Sequence, residues 1–241
     1  MDLWGREDAE EYAARIKREV TRDQRHYENH DALVKAASAC DACPLRQEGC
    51  LGPVVSTGPA ESPMMIVGEG PGAVEDSYGA PLIGPSGQLL DKALFSVGIT
   101  RDRIYVTNVV KCRPRGNRTP TLDEGKACGD RWLAEEIDLN RPKVIVALGK
   151  VALRYFLGHE AGIIRIRGHW FEYRGIPVMP TFHPSYLLRQ FGHDQVEAKW
   201  KVYYDLKAAR DRADQLAPGW QWTSGVVQDL LAGLTKRQEG V

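Results

Sequence analysis

Met64-Met65-Ile66-Val67 runs without a break into Gly68-Glu69-Gly70-Pro71-Gly72. A short apolar run that stops at glycines reads as a buried strand followed by a loop, because a strand covered on both faces has no polar side to alternate with. The pattern recurs along the chain. Ile104-Tyr105-Val106-Thr107-Asn108-Val109-Val110 and Lys143-Val144-Ile145-Val146-Ala147-Leu148-Gly149 read as a second and a third strand, and Val178-Met179-Pro180-Thr181 enters a fourth. Helix signals fall between and after them: residues 85–97, Val151 to Leu157, Gln195 to Arg212, and a segment from Thr121 to about Asn140. Thr121 is its expected N-cap, with Glu124 as the reciprocal capping partner. Alternating strands and helices predict an α/β fold, with three layers, α/β/α, around a central, mainly parallel four-stranded sheet. Residues 6–37, free of proline and mixed in charge, predict an N-terminal helical extension. The expected organisation is an extension over 1–37, a main domain over 38–212 and an unassigned tail over 213–241.

Composition narrows the function classes. Of the 241 residues, 32 are Lys or Arg and 32 are Asp or Glu, so whole-chain charge gives no support to nucleic-acid binding, and a local basic patch must carry that case. No apolar run approaches the ~20 residues of a membrane helix, so no membrane partner is expected. The acidic start, Met1-Asp2-Leu3-Trp4-Gly5-Arg6-Glu7-Asp8, does not resemble a signal peptide, and a cytoplasmic location is expected. There the five cysteines are thiols or metal ligands rather than disulfides.

Ligand loops in parallel sheets gather at the carboxyl ends of the strands, and three such loops carry chemistry here. In Gly68-Glu69-Gly70-Pro71-Gly72-Ala73-Val74-Glu75-Asp76 the glycines allow close backbone approach and the carboxylates suit a water or a base amide, although a tight turn with solvated acids has the same composition. Asn108 closes the second strand. Its amide offers a donor and an acceptor, as the polar edge of a pyrimidine requires, while a plain turn asparagine is the alternative. His183-Pro184-Ser185-Tyr186-Leu187-Leu188-Arg189 offers a hydrogen-bond donor, an apolar wedge and a phosphate contact. Cys40 and Cys43 form C-x2-C, and Cys112 and Cys128 follow. Four cysteines converging at one end of a sheet suit zinc or an iron–sulfur cluster, and spacing does not separate the two. Cys50 is either an alternative ligand or a buried thiol.

Together these motifs resemble the family 4 uracil-DNA glycosylases, the iron–sulfur branch of the uracil-DNA glycosylase superfamily, over about Cys40 to Arg210. The resemblance rests on Gly68 to Gly72, Glu75-Asp76, Thr107-Asn108-Val109-Val110-Lys111-Cys112-Arg113-Pro114, the segment from His183 to Arg189, and the cysteine set. It implies a [4Fe–4S] cluster on Cys40, Cys43, Cys112 and Cys128. It also implies that Glu69 and Asn108 contact uracil, with Gly70 beside them, and that His183 faces uracil O2. The expected activity is hydrolysis of the N-glycosidic bond of uracil in DNA by a monomer. A non-catalytic iron–sulfur DNA-binding module and a glycosylase for another deaminated base are the alternatives.

Two features qualify the match. In Gly79-Ala80-Pro81-Leu82-Ile83-Gly84 the family usually stacks a Phe on uracil, and Leu82 stands there instead. A sister group bonds covalently to DNA through a His in an inserted loop, but Arg113 to Pro120 contains no His. Lys111, Arg113, Arg115, Arg118 and Arg189 are the expected phosphate contacts, and Tyr186, Leu187 or Leu188 the expected filler of the space a flipped base vacates. For the water, Glu75 is the expected contact, ahead of Glu69, Asp76 and a backbone carbonyl.

Overall fold

The computed structural model describes residues 27–226 and 229–237. The expected helix over 6–37 therefore lies partly outside the described residues. Its described part is α1, His30–Ser38, capped by the Asn29 side chain on the Ala32 N–H. In chain order there follow β1 (Ser56–Thr57), β2 (Met64–Gly68), α2 (Ala73–Tyr78), α3 (Pro85–Ser96) and β3 (Tyr105–Asn108). Next come α4 (Leu122–Cys128), a π-helical turn over Gly129–Leu133, α5 (Ala134–Asn140), β4 (Val144–Leu148), α6 (Gly149–Leu157) and α7 (Ile163–Ile166). The chain then forms β5 (Phe171–Tyr173), β6 (Ile176–Thr181), α8 (Pro184–Leu188) and α9 (Gly192–Leu216). The capping box at Thr121 and Glu124 forms as its residue types dictate.

The sheet has six strands, ordered β1-β3-β2-β4-β6-β5, rather than four. The four central strands are parallel, and they are the four read from the apolar runs. The two additions are short antiparallel edge strands with little apolar pattern. β5 and β6 join through Arg174 and Gly175, both at positive φ, which is the twist a two-residue hairpin requires.

Residues alternate across β2. Met65 and Val67 enter a core with α1, α5 and α6, through Leu33, Ile137 and Phe156. Met64 and Ile66 enter the opposite core with α3 and α9, through Leu90, Leu94, Val202 and Leu206. Each fully buried aliphatic side chain contributes ~1.5–3 kcal/mol, so both faces of this one strand hold helices to the sheet. α9 continues past residue 212 to Leu216, and Trp222 beyond it is buried in the second core, with its backbone oxygen accepting from the Thr100 N–H. Among the described residues no helix is long and apolar enough to cross a membrane.

Parallel register aligns the strand ends. Gly68 lies beside Asn108, and Leu148 lies beside Thr181. The segments after β2, β3 and β6 therefore leave the sheet at the same edge.

Candidate active site and thiol cluster

At that edge opens a cavity of about 520 Å³, lined by Glu69, Gly70, Leu82, His183, Ser185 and Arg189 among others. Asn108 is not among the lining residues; it closes β3 beside Gly68, next to Leu82, which does line the cavity. Asn108 is fully buried, and among the described residues neither its amide nitrogen nor its amide oxygen has a partner. A Cβ on Gly68 would fall 2.3 Å from Asn108 Oδ1 and 3.3 Å from Leu82 Cδ1, so glycine is required there by the amide's own position. Leu82, at φ 52°, packs over this spot, and its carbonyl accepts from Arg101 Nη2 at 2.7 Å.

His183 N-caps α8. Its Nδ1 accepts the Ser185 N–H at 3.1 Å and lies 2.8 Å from Ser185 Oγ. A neutral ring that accepts at Nδ1 carries its proton on Nε2. Burial, with the Arg189 charge adding to it, pushes the His183 pKa down to about 4, so the ring is neutral near pH 7. Burial holds the Glu69 carboxyl above its usual range, opposed by Arg189 and Arg154.

Glu75 also lines this cavity, but its carboxylate is already engaged. Its carboxylate accepts three backbone N–H groups, from Gly72 at 3.1 Å, Ile83 at 3.0 Å and Gly84 at 2.7 Å. A carboxylate so occupied clamps two loops together and is poorly placed to hold a water. Asp76 likewise accepts the Leu51 N–H at 3.0 Å.

The expected basic patch is smaller than the sequence indicates. Lys111 is buried, with its ammonium 2.6 Å from Glu136, so it is no phosphate contact in this fold. The guanidinium of Arg118 is held between Glu124 and Glu48, which offset its charge. Arg113 is half-buried, with Nε donating to Asn117, whereas Arg115 and Arg189 are exposed. Of the three wedge residues, Leu187 is buried and Tyr186 packs its ring 4.7 Å from Phe182, which leaves Leu188 exposed. Sequence reasoning missed Phe191, which is 82% exposed beside this segment. The signal available was a large aromatic set between Gln190 and Gly192 in an otherwise polar stretch.

The four cysteines gather on the first core, joined by the buried Cys50. Burial pushes the Cys128 thiol up to about 12, and nearby Cys43 and Cys40 add to this. The Cys112 thiol is raised by its hydrogen bond with Cys50, by burial and by the charges of Cys50, Cys128 and Cys43. Three N–H groups point at sulfur: the Lys111 backbone to Cys128 Sγ and Trp132 Nε1 to Cys40 Sγ, both at 3.3 Å, and Arg46 Nη1 to Cys50 Sγ at 3.6 Å. No three cysteine sulfurs lie within 4.8 Å of one another. A single zinc ion, at ~2.3 Å from each thiolate, would need tetrahedral sulfurs ~3.8 Å apart. The described group that does meet that limit, His193, Asp194 and Glu197, is exposed, and Glu197 is paired with Lys201.

The sequence model of the uracil DNA glycosylase superfamily matches residues 55–207. The type-4 uracil-DNA glycosylase of Thermotoga maritima is 47% identical over 173 residues, covering 71% of this chain and 88% of the relative. That of Archaeoglobus fulgidus is 34% identical over 188 residues, covering 74% and 94%. That of Pyrobaculum aerophilum is 40% identical over 159 residues, covering 63% and 80%.

Proposed function

The chain belongs to the uracil DNA glycosylase superfamily, in its type-4 branch, and we propose from this that the cavity behind Glu69, Leu82 and His183 receives the uracil it excises from DNA. The observation that carries this reading is the buried Asn108 amide with neither donor nor acceptor satisfied. An unpaired buried amide costs ~1–3 kcal/mol, and a fold keeps it when a ligand supplies the missing partners. Uracil offers an acceptor at O4 beside a donor at N3, the complement of one amide.

A uracil in duplex DNA must first leave the stack, at a cost of a few kcal/mol. Leu188 and Phe191 are the exposed apolar groups placed to fill the gap, and Arg189 with Arg115 supplies cations for the backbone. In the reaction the N1–C1′ bond breaks with its electron pair moving onto uracil. The His183 Nε2–H faces the negative charge growing on O2, a donor fixed in place before the charge develops. With Glu75 occupied by backbone groups, Glu69 is the cavity carboxylate left to hold the water and face the sugar cation. Water oxygen bonds to C1′, its proton ends on uracil, and an abasic site remains.

Cys40, Cys43, Cys112 and Cys128 are the residues that would hold a [4Fe–4S] cluster. A spread set of sulfurs, two buried and two half-buried, with N–H donors aimed at Cys128 and Cys40, suits a multi-iron centre better than one zinc ion. When bound, the cluster ties the 40–43 segment, the Cys112 loop and α4 together. Free thiols support a reducing compartment such as the cytoplasm, and the enzyme is read as a monomer. The test is incubation with an oligonucleotide carrying one uracil, followed by alkali and a gel. A strand break at the uracil is expected, and intact DNA would overturn the reading.

A further inference from the structure

Lys111 joins the thiol cluster to the amide that reads the base. It immediately precedes Cys112, and its backbone N–H donates to Cys128 Sγ. Its side chain is 1% exposed, and the ammonium donates to Glu136 Oε2 at 2.6 Å, Thr107 Oγ1 at 2.7 Å and the Asn108 carbonyl oxygen at 2.8 Å. An ammonium has three donors and no acceptor, so this set satisfies it completely. A buried ion pair adds little net stability, because desolvation offsets most of the attraction, so stability alone does not account for placing one here. The distinctive acceptor is Asn108, whose side-chain amide is the group left without a partner. On its other flank this peptide is fixed by β2, where the Val109 N–H donates to Gly68 O at 3.0 Å and the Val110 N–H to Glu69 O at 3.1 Å.

We propose that Lys111 is a positioning residue for uracil recognition: anchored by its backbone to the cysteine ligands, it holds the Asn108 peptide with its ammonium and so sets where the Asn108 amide meets the base. This rests on the reading of Asn108 as the uracil contact. The metal-binding end of the fold thereby reaches the base pocket through one side chain, and the lysine that sequence reasoning placed on DNA acts behind the pocket instead.

The test uses the iron-loaded protein carrying Lys111→Met with Glu136→Gln, a pair of changes that leaves no unpaired buried charge. Iron content and visible absorption report the cluster, inhibition by free uracil reports the pocket, and DNA docking and single-turnover excision are measured beside them. The expected double variant keeps its iron and colour and docks on DNA as the wild type does. It binds free uracil about tenfold more weakly and excises about tenfold more slowly, the scale of one misaligned hydrogen bond. A brown double variant with wild-type uracil affinity and rate overturns the proposal. So does one that loses its iron or its fold, because Lys111 would then serve the metal loop rather than Asn108. Wild-type protein that leaves uracil DNA intact would instead overturn the excision reading on which the proposal rests.

Discussion

At the residue scale, the proposed chemistry rests on two side chains, and each has a measurable signature. His183 is neutral in the folded protein, with its pKa near 4, against ~6.5 in an unfolded chain. Between those values the unfolded chain binds more protons. Stability from this group is therefore complete above pH ~6.5 and falls as the pH drops toward 4. The donor form survives that whole range, so single-turnover excision should show no inflection near pH 6.5, and a step there would mean that a titrating imidazole does the work. His183→Ala should slow the chemical step by about 10²–10³ while weakening DNA binding far less, because the bond it supplies strengthens only as charge reaches O2. Asn108 predicts an unusual pairing of effects. Asn108→Val removes two unsatisfied buried polar atoms from a strand and should raise the melting temperature, while excision falls about a hundredfold or more. A less stable Asn108→Val protein would show that the amide is satisfied within the fold after all.

At the element scale, the site depends on how closely the strand ends approach one another. α6 begins at Gly149, at φ 82°, where an added Cβ would fall 2.8 Å from the Cβ of His183. The start of one helix thus sets the seat of a side chain on the segment after β6. Gly149→Ala should displace His183 and lower the excision rate about tenfold or more, through both the strained φ and the contact. Full activity with a folded Gly149→Ala protein would mean that the His183 segment moves freely. Glu75 works at the same scale, drawing the Gly72 turn and the Ile83-Gly84 segment onto one carboxylate.

At the scale of the whole molecule, three segments distant in sequence meet at the thiols, and Arg118, held between Glu48 and Glu124, ties the same segments from outside. We expect the purified protein to be brown, with about four irons per chain. Cys112→Ala should lose the colour and lower the melting temperature sharply, since a multi-ligand centre restricts the unfolded chain much as a cross-link does. Anaerobically purified protein that holds zinc and no iron would contradict this assignment.

The sequence by itself determined the architecture and the chemical inventory. Short apolar runs, two of them ending in glycine, fixed the four parallel strands, because a strand buried on both faces has no polar side to alternate with. That parallel arrangement in turn put Glu69, Asn108 and His183 at one edge. Motif order carried the family. The edge strands β1 and β5 were not legible, because two or three residues of mixed polarity pair only where a neighbour offers an edge. What only the tertiary structure decided was which polar groups remain free. Lys111, Arg118 and Glu75 read as available charges in the sequence, yet Glu136, Glu124 with Glu48, and three backbone N–H groups claim them. Phe191, marked in the sequence only as a lone aromatic in a polar stretch, stands in solvent. The physical reason is that charge belongs to a residue, whereas desolvation and pairing belong to its neighbours, and those come together from distant parts of the chain only once it has folded.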